Sequence, residues 1–231
     1  MARTDRLEVY HRILQTGLVP IFNHSDGEVA CKIADAIIAG GAQVIEMTNR
    51  GDNAFEAFCS VRKHCNVHHP EVVLGVGSVV DAPTAALYSA QGAEFVVAPI
   101  FSKETAKLCN KQKIPYLPGC GSVTEISRAE EYGVEIVKMF PGSQVGGPGF
   151  IKAVRGPMPW TRLLPTGGVD ATRESIESWI KAGACAVGMG SKLVVKSDVD
   201  AGDFDAISKR VKQCLEWLRQ AREGSGPKAN F

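Results

Sequence analysis

The 231-residue chain has almost no net charge: 26 Lys and Arg stand against 25 Asp and Glu, a formal +1. Such a balance gives neither nucleic acid nor an anionic membrane surface a reason to bind. No apolar run reaches the roughly 18 residues that a transmembrane helix needs. The opening stretch MARTDRLEVYHRILQTG has no apolar signal core and reads as an amphipathic helix. There is no CxxC pair, and the seven cysteines are odd in number and scattered. That argues against a disulfide framework and for reduced thiols in a cytoplasmic setting. The dinucleotide pattern GxGxxG is also missing after the first apolar run, where the chain reads NHSDGEV, so a doubly wound nucleotide-binding sheet is disfavoured.

Short apolar runs alternating with amphipathic stretches make up most of the chain. The runs are LVPIF (18–22), AQVIEMT (42–48), VVLGVG (72–77), EFVVAP (94–99), IPYLPG (114–119), VEIVKMF (134–140), TRLLPTGG (161–168) and ACAVGMG (184–190), eight in all. Between them lie helical patterns such as GEVACKIADAIIAGG and TRESIESWIKAGA, several closed by the Gly that a helix C-terminal turn prefers. Alternation of this kind implies parallel βαβ units. Eight of them imply an α/β fold of the closed (β/α)8 TIM-barrel type. The expectation is one barrel domain over residues 1–222, with an extra N-terminal helix, followed by a disordered tail over 223–231, within REGSGPKANF.

In such a barrel the active site forms at the C-terminal ends of the strands, so polar residues late in apolar runs matter most. Side chains alternate faces along a strand. In the second run Val44, Glu46 and Thr48 share one face and Ile45 and Met47 the other; in the sixth, Val134, Ile136 and Lys138 oppose Val137 and Met139. The outer face packs on helices and should be apolar, which turns Glu46, Thr48 and Lys138 inward. A Glu and a Lys inside a strand core are costly unless paired or functional. Two readings stay open on position alone: a structural ion pair, or a lysine nucleophile with a carboxylate acid/base.

The chemistry suits the second reading. At an unperturbed pKa only about one lysine in 2,500 is unprotonated at pH 7, and burial would raise that fraction by disfavouring the charge. The free amine could attack a ketone, a nearby carboxylate could move protons, and the protonated imine would be the electron sink, with no metal or cofactor needed. Arg50, just after the second run, has the planar fork that suits a substrate carboxylate. Gly167 and Gly168 in PTGGVDATRES, and Gly190 and Ser191 in GMGSKLVV, follow the seventh and eighth runs, where barrels of this type often hold a phosphate on backbone N–H groups. Tight βα turns are the plainer reading of those glycines.

Two further groups are read as inert. His64, Cys65, His68 and His69 lie together, but at a helix end and in a polar loop on the N-terminal face of the barrel; they read as a solvated loop rather than a metal site. Cys120 follows the fifth run and could edge the pocket, yet no His except His24 falls in a mouth loop to activate it.

The ordered motifs VPIF, IEMTNR, GVGSV, FVVAPIF, YLPGCGSVTE, VKMFPGS, LLPTGGV and VGMGS resemble those of the 2-keto-3-deoxy-6-phosphogluconate (KDPG) aldolases, a family that also includes 4-hydroxy-2-oxoglutarate (KHG) aldolases. The likeness spans about residues 5–220. It implies a class I aldolase barrel in which Lys138 forms the Schiff base and Glu46 is the general acid/base. It implies that Arg50 holds the substrate carboxylate, that Thr48, Ser78, Pro99 and Phe140 line the pocket, and that Thr166, Gly167, Gly168, Gly190 and Ser191 contact the substrate, mainly its phosphate. It implies a small-molecule 2-keto acid as partner and a homotrimer. The reaction implied is cleavage of KDPG to pyruvate and glyceraldehyde 3-phosphate, with KHG or the galactonate isomer of KDPG as alternative substrates. A non-catalytic or phosphosugar-isomerase barrel is the contrasting reading; neither needs the Lys and Glu together. Gly51-Asp52-Asn53 departs from the small Thr-Pro-like residues common in relatives, and Lys192 adds a charge beside the expected phosphate loop.

Overall fold

Every apolar run yields parallel strand, the first along its whole length and most of the others trimmed, in the computed structural model, which describes residues 4–224. The strands are β1 Leu18–Phe22, β2 Val44–Thr48, β3 Val73–Gly77, β4 Val96–Val97, β5 Tyr116–Leu117, β6 Gly119–Cys120, β7 Val137–Met139, β8 Leu163–Pro165 and β9 Val187–Met189. The fifth run is thus split into β5 and β6 at Pro118, whose ring nitrogen has no N–H to give a ladder. Hydrogen bonding follows the orders β5-β4-β3-β2-β1-β9 and β6-β7-β8. Pro118 joins the two sheets on one side, and a parallel bridge from Thr166 to Gly188 joins them on the other. The strands therefore describe a (β/α)8-type fold.

The helices are α1 Arg6–Thr16, α2 Gly27–Ala39, α3 Ala54–His68, α4 Ala82–Ala90, α5 Lys103–Gln112, α6 Val123–Glu131, α7 Gly147–Arg155, α8 Arg173–Ala182, α9 Lys196–Ala201 and α10 Phe204–Glu223. Several start where a short polar side chain can satisfy a free N–H of the first turn. Asp26, Asp81, Ser102, Ser122 and Thr172 accept such bonds at α2, α4, α5, α6 and α8. Of the tail expected over 223–231, residues 225–231 lie outside the described residues, and Glu223 belongs to α10 instead.

Side-chain alternation sorts the core into two layers. Val19, Val44, Val73, Val97, Leu117, Ile136, Leu164 and Ala186 form one buried cluster with Val9, Tyr10 and Ile13 of α1. Ile45, Met47, Val137 and Met139 belong to the other, packed against the surrounding helices. The first cluster is the barrel interior, and α1 closes its N-terminal end. Val134 breaks the expected alternation: it precedes β7 and sits in the outer layer. Burial of these two layers leaves the C-terminal ends of the strands as the place where polar side chains can enter the barrel.

Candidate functional site

Lys138 lies in the middle of β7, level with Gly119 of β6 and Leu164 of β8. Glu46 lies in the middle of β2, level with Ile21 and Gly75. The two strands stand on opposite sides of the ring, and both side chains are buried, at 5% and 3% exposure. Burial holds the Lys138 ammonium below the usual lysine value; the Glu46 carboxylate works against that and the Arg50 guanidinium adds to it. Burial likewise pushes the Glu46 carboxyl above the usual carboxylate range, opposed by Lys138 and Arg50. The Lys138 Nζ sits 5.0 Å from the centre of the Phe140 ring, and Glu46 Oε1 has no hydrogen-bond partner among the described residues. A structural ion pair would be expected to satisfy that oxygen. An amine biased toward its neutral form, facing a carboxyl biased toward its protonated form, can instead attack a carbonyl and exchange protons with it.

The side chains around this pair leave further polar atoms unpaired. Thr48 Oγ1 and Thr166 Oγ1 are buried without hydrogen-bond partners among the described residues. Arg50 is exposed at the rim, where its Nε donates to Ser78 Oγ at 2.8 Å. Ser78 holds a left-handed backbone, φ 61°. Pro99 follows β4, and its carbonyl approaches Gly119 so closely that a β-carbon there would lie 2.2 Å from the oxygen. Cys120 is buried, with its thiol pushed up to about 12 by burial, and is no nucleophile in this setting.

The glycine loops after β8 and β9 come together. Gly167 and Gly168 both have positive φ, 88° and 81°. The loop after β7 docks on them: Gly142 N donates to Thr166 O at 2.9 Å and Ser143 N to Gly167 O at 3.0 Å. Gly190 turns the chain after β9, its carbonyl accepting from Leu193 and Val194 N–H. Lys192 Nζ reaches to 3.8 Å from Asp170 Oδ1, so Lys192, next to Ser191, meets the segment that follows Gly168. Ser191 is exposed there. Gly51-Asp52-Asn53 forms an open turn into α3, with Gly51 and Asn53 both at positive φ.

Some supporting residues carry little signal in a single sequence. Gly77 lies beneath Glu46: a β-carbon there would be 1.9 Å from Glu46 Oε1. Gly188 makes the same kind of room for Thr166, whose Oγ1 would lie 2.4 Å from an added β-carbon. Tyr88 of α4 donates its hydroxyl to Asn49 Oδ1 at 2.9 Å and so fixes the turn between Glu46 and Arg50. Only the motif GVGSV hinted at Gly77; cross-strand register supplies the rest. The histidine loop also needs correcting. His64 and His69 are not freely solvated: both Nε2 atoms hydrogen-bond Asp35 Oδ1 of α2, at 2.7 and 2.8 Å.

With this geometry in place, the comparisons agree on one group. A family model described as "KDPG and KHG aldolase" matches residues 9–210. The KHG/KDPG aldolase of Escherichia coli (strain K12) is 32% identical over 205 residues, which is 88% of this chain and 93% of that protein. A KDPG aldolase from Legionella pneumophila, solved with pyruvate captured as a covalent carbinolamine intermediate, superposes with a TM-score of 0.79 at 27% identity, over 87% of this chain and 95% of the other. A Zymomonas mobilis ZM4 KDPG aldolase, solved with 3-phosphoglycerate, superposes with a TM-score of 0.78 at 26% identity, over 91% and 96%.

Proposed function

The chain belongs to the KDPG and KHG aldolase family, and from that premise we propose that it is a Schiff-base lyase whose substrate is KDPG, cleaved to pyruvate and glyceraldehyde 3-phosphate. The observation that carries the reading is the buried Lys138 amine, held below its usual pKa and facing the buried Glu46 carboxyl. The neutral amine attacks the C2 ketone, and the carbinolamine loses water with Glu46 supplying and taking protons. The resulting protonated imine accepts the electron pair of the breaking C3–C4 bond as Glu46 takes the proton of the C4 hydroxyl, the aldehyde leaves, and the enamine is protonated at C3 and hydrolysed by water to pyruvate and the free Lys138 amine. The imine supplies the electron sink, so this sequence of steps is metal-independent and uses no cofactor.

Arg50 pairs with the substrate carboxylate through its fork. Thr48 and Thr166, whose hydroxyls are buried and unpaired, offer hydrogen bonds to substrate oxygens, while Ser78, Pro99 and Phe140 shape the pocket around the pyruvate half. Gly167, Gly168, Gly190 and Ser191 hold the phosphate through backbone N–H groups and the serine hydroxyl. The capture of pyruvate and of 3-phosphoglycerate by relatives supports both halves of this placement. The working unit is one domain over residues 1–222, assembled as a homotrimer in the cytoplasm. Val80, Leu87, Ile100 and Val123 are exposed on the segments after β3, β4 and β6 and are the apolar side chains assigned to the interface between copies.

The substrate assignment is tested by pyruvate release, read through a coupled dehydrogenase, on KDPG, its galactonate isomer and unphosphorylated KHG. KDPG should give the highest kcat/KM, with inorganic phosphate as a competitive inhibitor. Highest kcat/KM on KHG with no competition by phosphate would move the assignment to KHG and empty the glycine loops of their role.

A further inference from the structure

The cluster at the end of α3 has no part in the reaction described above. In a (β/α)8-type fold the helices run back against the strands, so the C-terminal end of α3 lies at the N-terminal face of the barrel, away from the strand ends that carry Arg50 and the glycine loops. There Asp35, in the second half of α2, meets His64, one turn before the end of α3, and His69, the residue that caps α3. His69 has φ −141° and ψ 58°, so the helix stops one residue before it and the chain turns its ring back toward His64. The Asp35 carboxylate and the two imidazole nitrogens all lie within 4.8 Å of one another. Each ring directs Nε2 at the same oxygen, at 2.7 and 2.8 Å. His68 stacks beside His64 with ring centres 4.6 Å apart.

We propose that Asp35, His64 and His69 form a binding site for one divalent transition-metal ion of the zinc class, a clip that ties α2 to α3. Two imidazoles and a carboxylate suit Zn2+, Co2+, Ni2+ or Cu2+ over the oxygen-loving Mg2+ and Ca2+. A tetrahedral ion with bonds of about 2.0–2.1 Å places its ligands roughly 3.3 Å apart. The N–O separations must therefore open by about 0.6 Å, a small rotation of side chains that remain part exposed, at 24% for each histidine and 43% for Asp35. The charge balance favours the ion: a carboxylate ligand supplies negative charge to a cation, and the carbonyl end of α3 adds a partial one. Water or the neighbouring His68 completes the shell. The ligands come from two helices separated by a strand, so the ion braces the second βα unit and takes no part in carbon–carbon cleavage.

The test uses untagged full-length protein stripped with a chelator. Titration with Co2+ should give visible d–d bands that saturate at one equivalent and are displaced by Zn2+, and Zn2+ should raise Tm while Mg2+ and Ca2+ do not. In His69→Gln and Asp35→Asn, Co2+ affinity should fall by at least about 10-fold, with aldolase turnover unchanged. The intact chain supplies a check that needs no variant: with seven thiols present, a strong near-ultraviolet thiolate-to-cobalt band would place the ion on cysteine and overturn the proposal. Absence of saturable binding, or full affinity in both variants, would overturn it as well.

Discussion

Lys138 and Glu46 both sit where a charge is disfavoured, and each pulls the other partly back toward ionisation. That opposition sets the direction of two experiments. Glu46→Gln should still bind pyruvate, with slower covalent capture, and lose turnover by about 10²–10⁴-fold; turnover at the parent level would remove Glu46 from the proton transfers. The second experiment follows the rate of pyruvate capture against pH. Capture needs the free amine, so it rises as pH climbs through the Lys138 pKa, below the ordinary 10.5. Glu46 raises that pKa, so Glu46→Gln should move the rise to lower pH. Arg50 lowers it, so Arg50→Gln should move the rise to higher pH. Shifts of the opposite sign, with pyruvate saturating, would contradict the electrostatic account. Both residues were legible in the sequence because strand alternation placed them inward, against apolar neighbours. The unpaired Glu46 Oε1 was not, since it depends on which side chains reach across the barrel. The hydroxyls of Thr48 and Thr166 are unpaired for the same non-local reason.

Strands β3 and β9 act through what they omit. Glycine at 77 leaves the volume that the Glu46 side chain occupies, and glycine at 188 leaves that of Thr166. Gly77→Ala should therefore fold, displace the Glu46 carboxylate and cut turnover by about 10²-fold, the scale of an ångström-sized misplacement. Pyruvate capture on Lys138 should persist. Parent turnover in this variant would show that Glu46 has another resting place. The eight apolar runs announced the strands, but their lengths were overestimated: β4, for one, is only Val96–Val97. Outside those two residues Glu94, Phe95 and Ala98 are buried and still bond across to neighbouring strands. The split at Pro118 was available from proline's missing donor. The contacts of Gly77, Gly188 and Tyr88 were not, because each depends on the register of a neighbouring element. The convergence of His64 and His69 on Asp35 was hidden for a related reason: the partner lies a helix and a strand earlier in the chain.

The whole molecule divides its labour between the ends of the barrel. α1 seals the N-terminal end with Val9, Tyr10 and Ile13, while the glycine loops and Arg50 gather at the other. Assembly belongs to this scale. Light scattering on the purified protein should give close to three times the 24.7 kDa chain mass, and Ile100→Asp with Val123→Asp should lower it. A single-chain mass for the parent would remove the trimer. Turnover depends throughout on Lys138 becoming covalently bonded to a keto acid. Incubation with pyruvate and sodium borohydride, followed by peptide mass spectrometry, reads that bond directly. The prediction is one reduced pyruvate adduct, on Lys138, absent from Lys138→Ala. No adduct at saturating pyruvate, or an adduct carried by a different lysine, would contradict it.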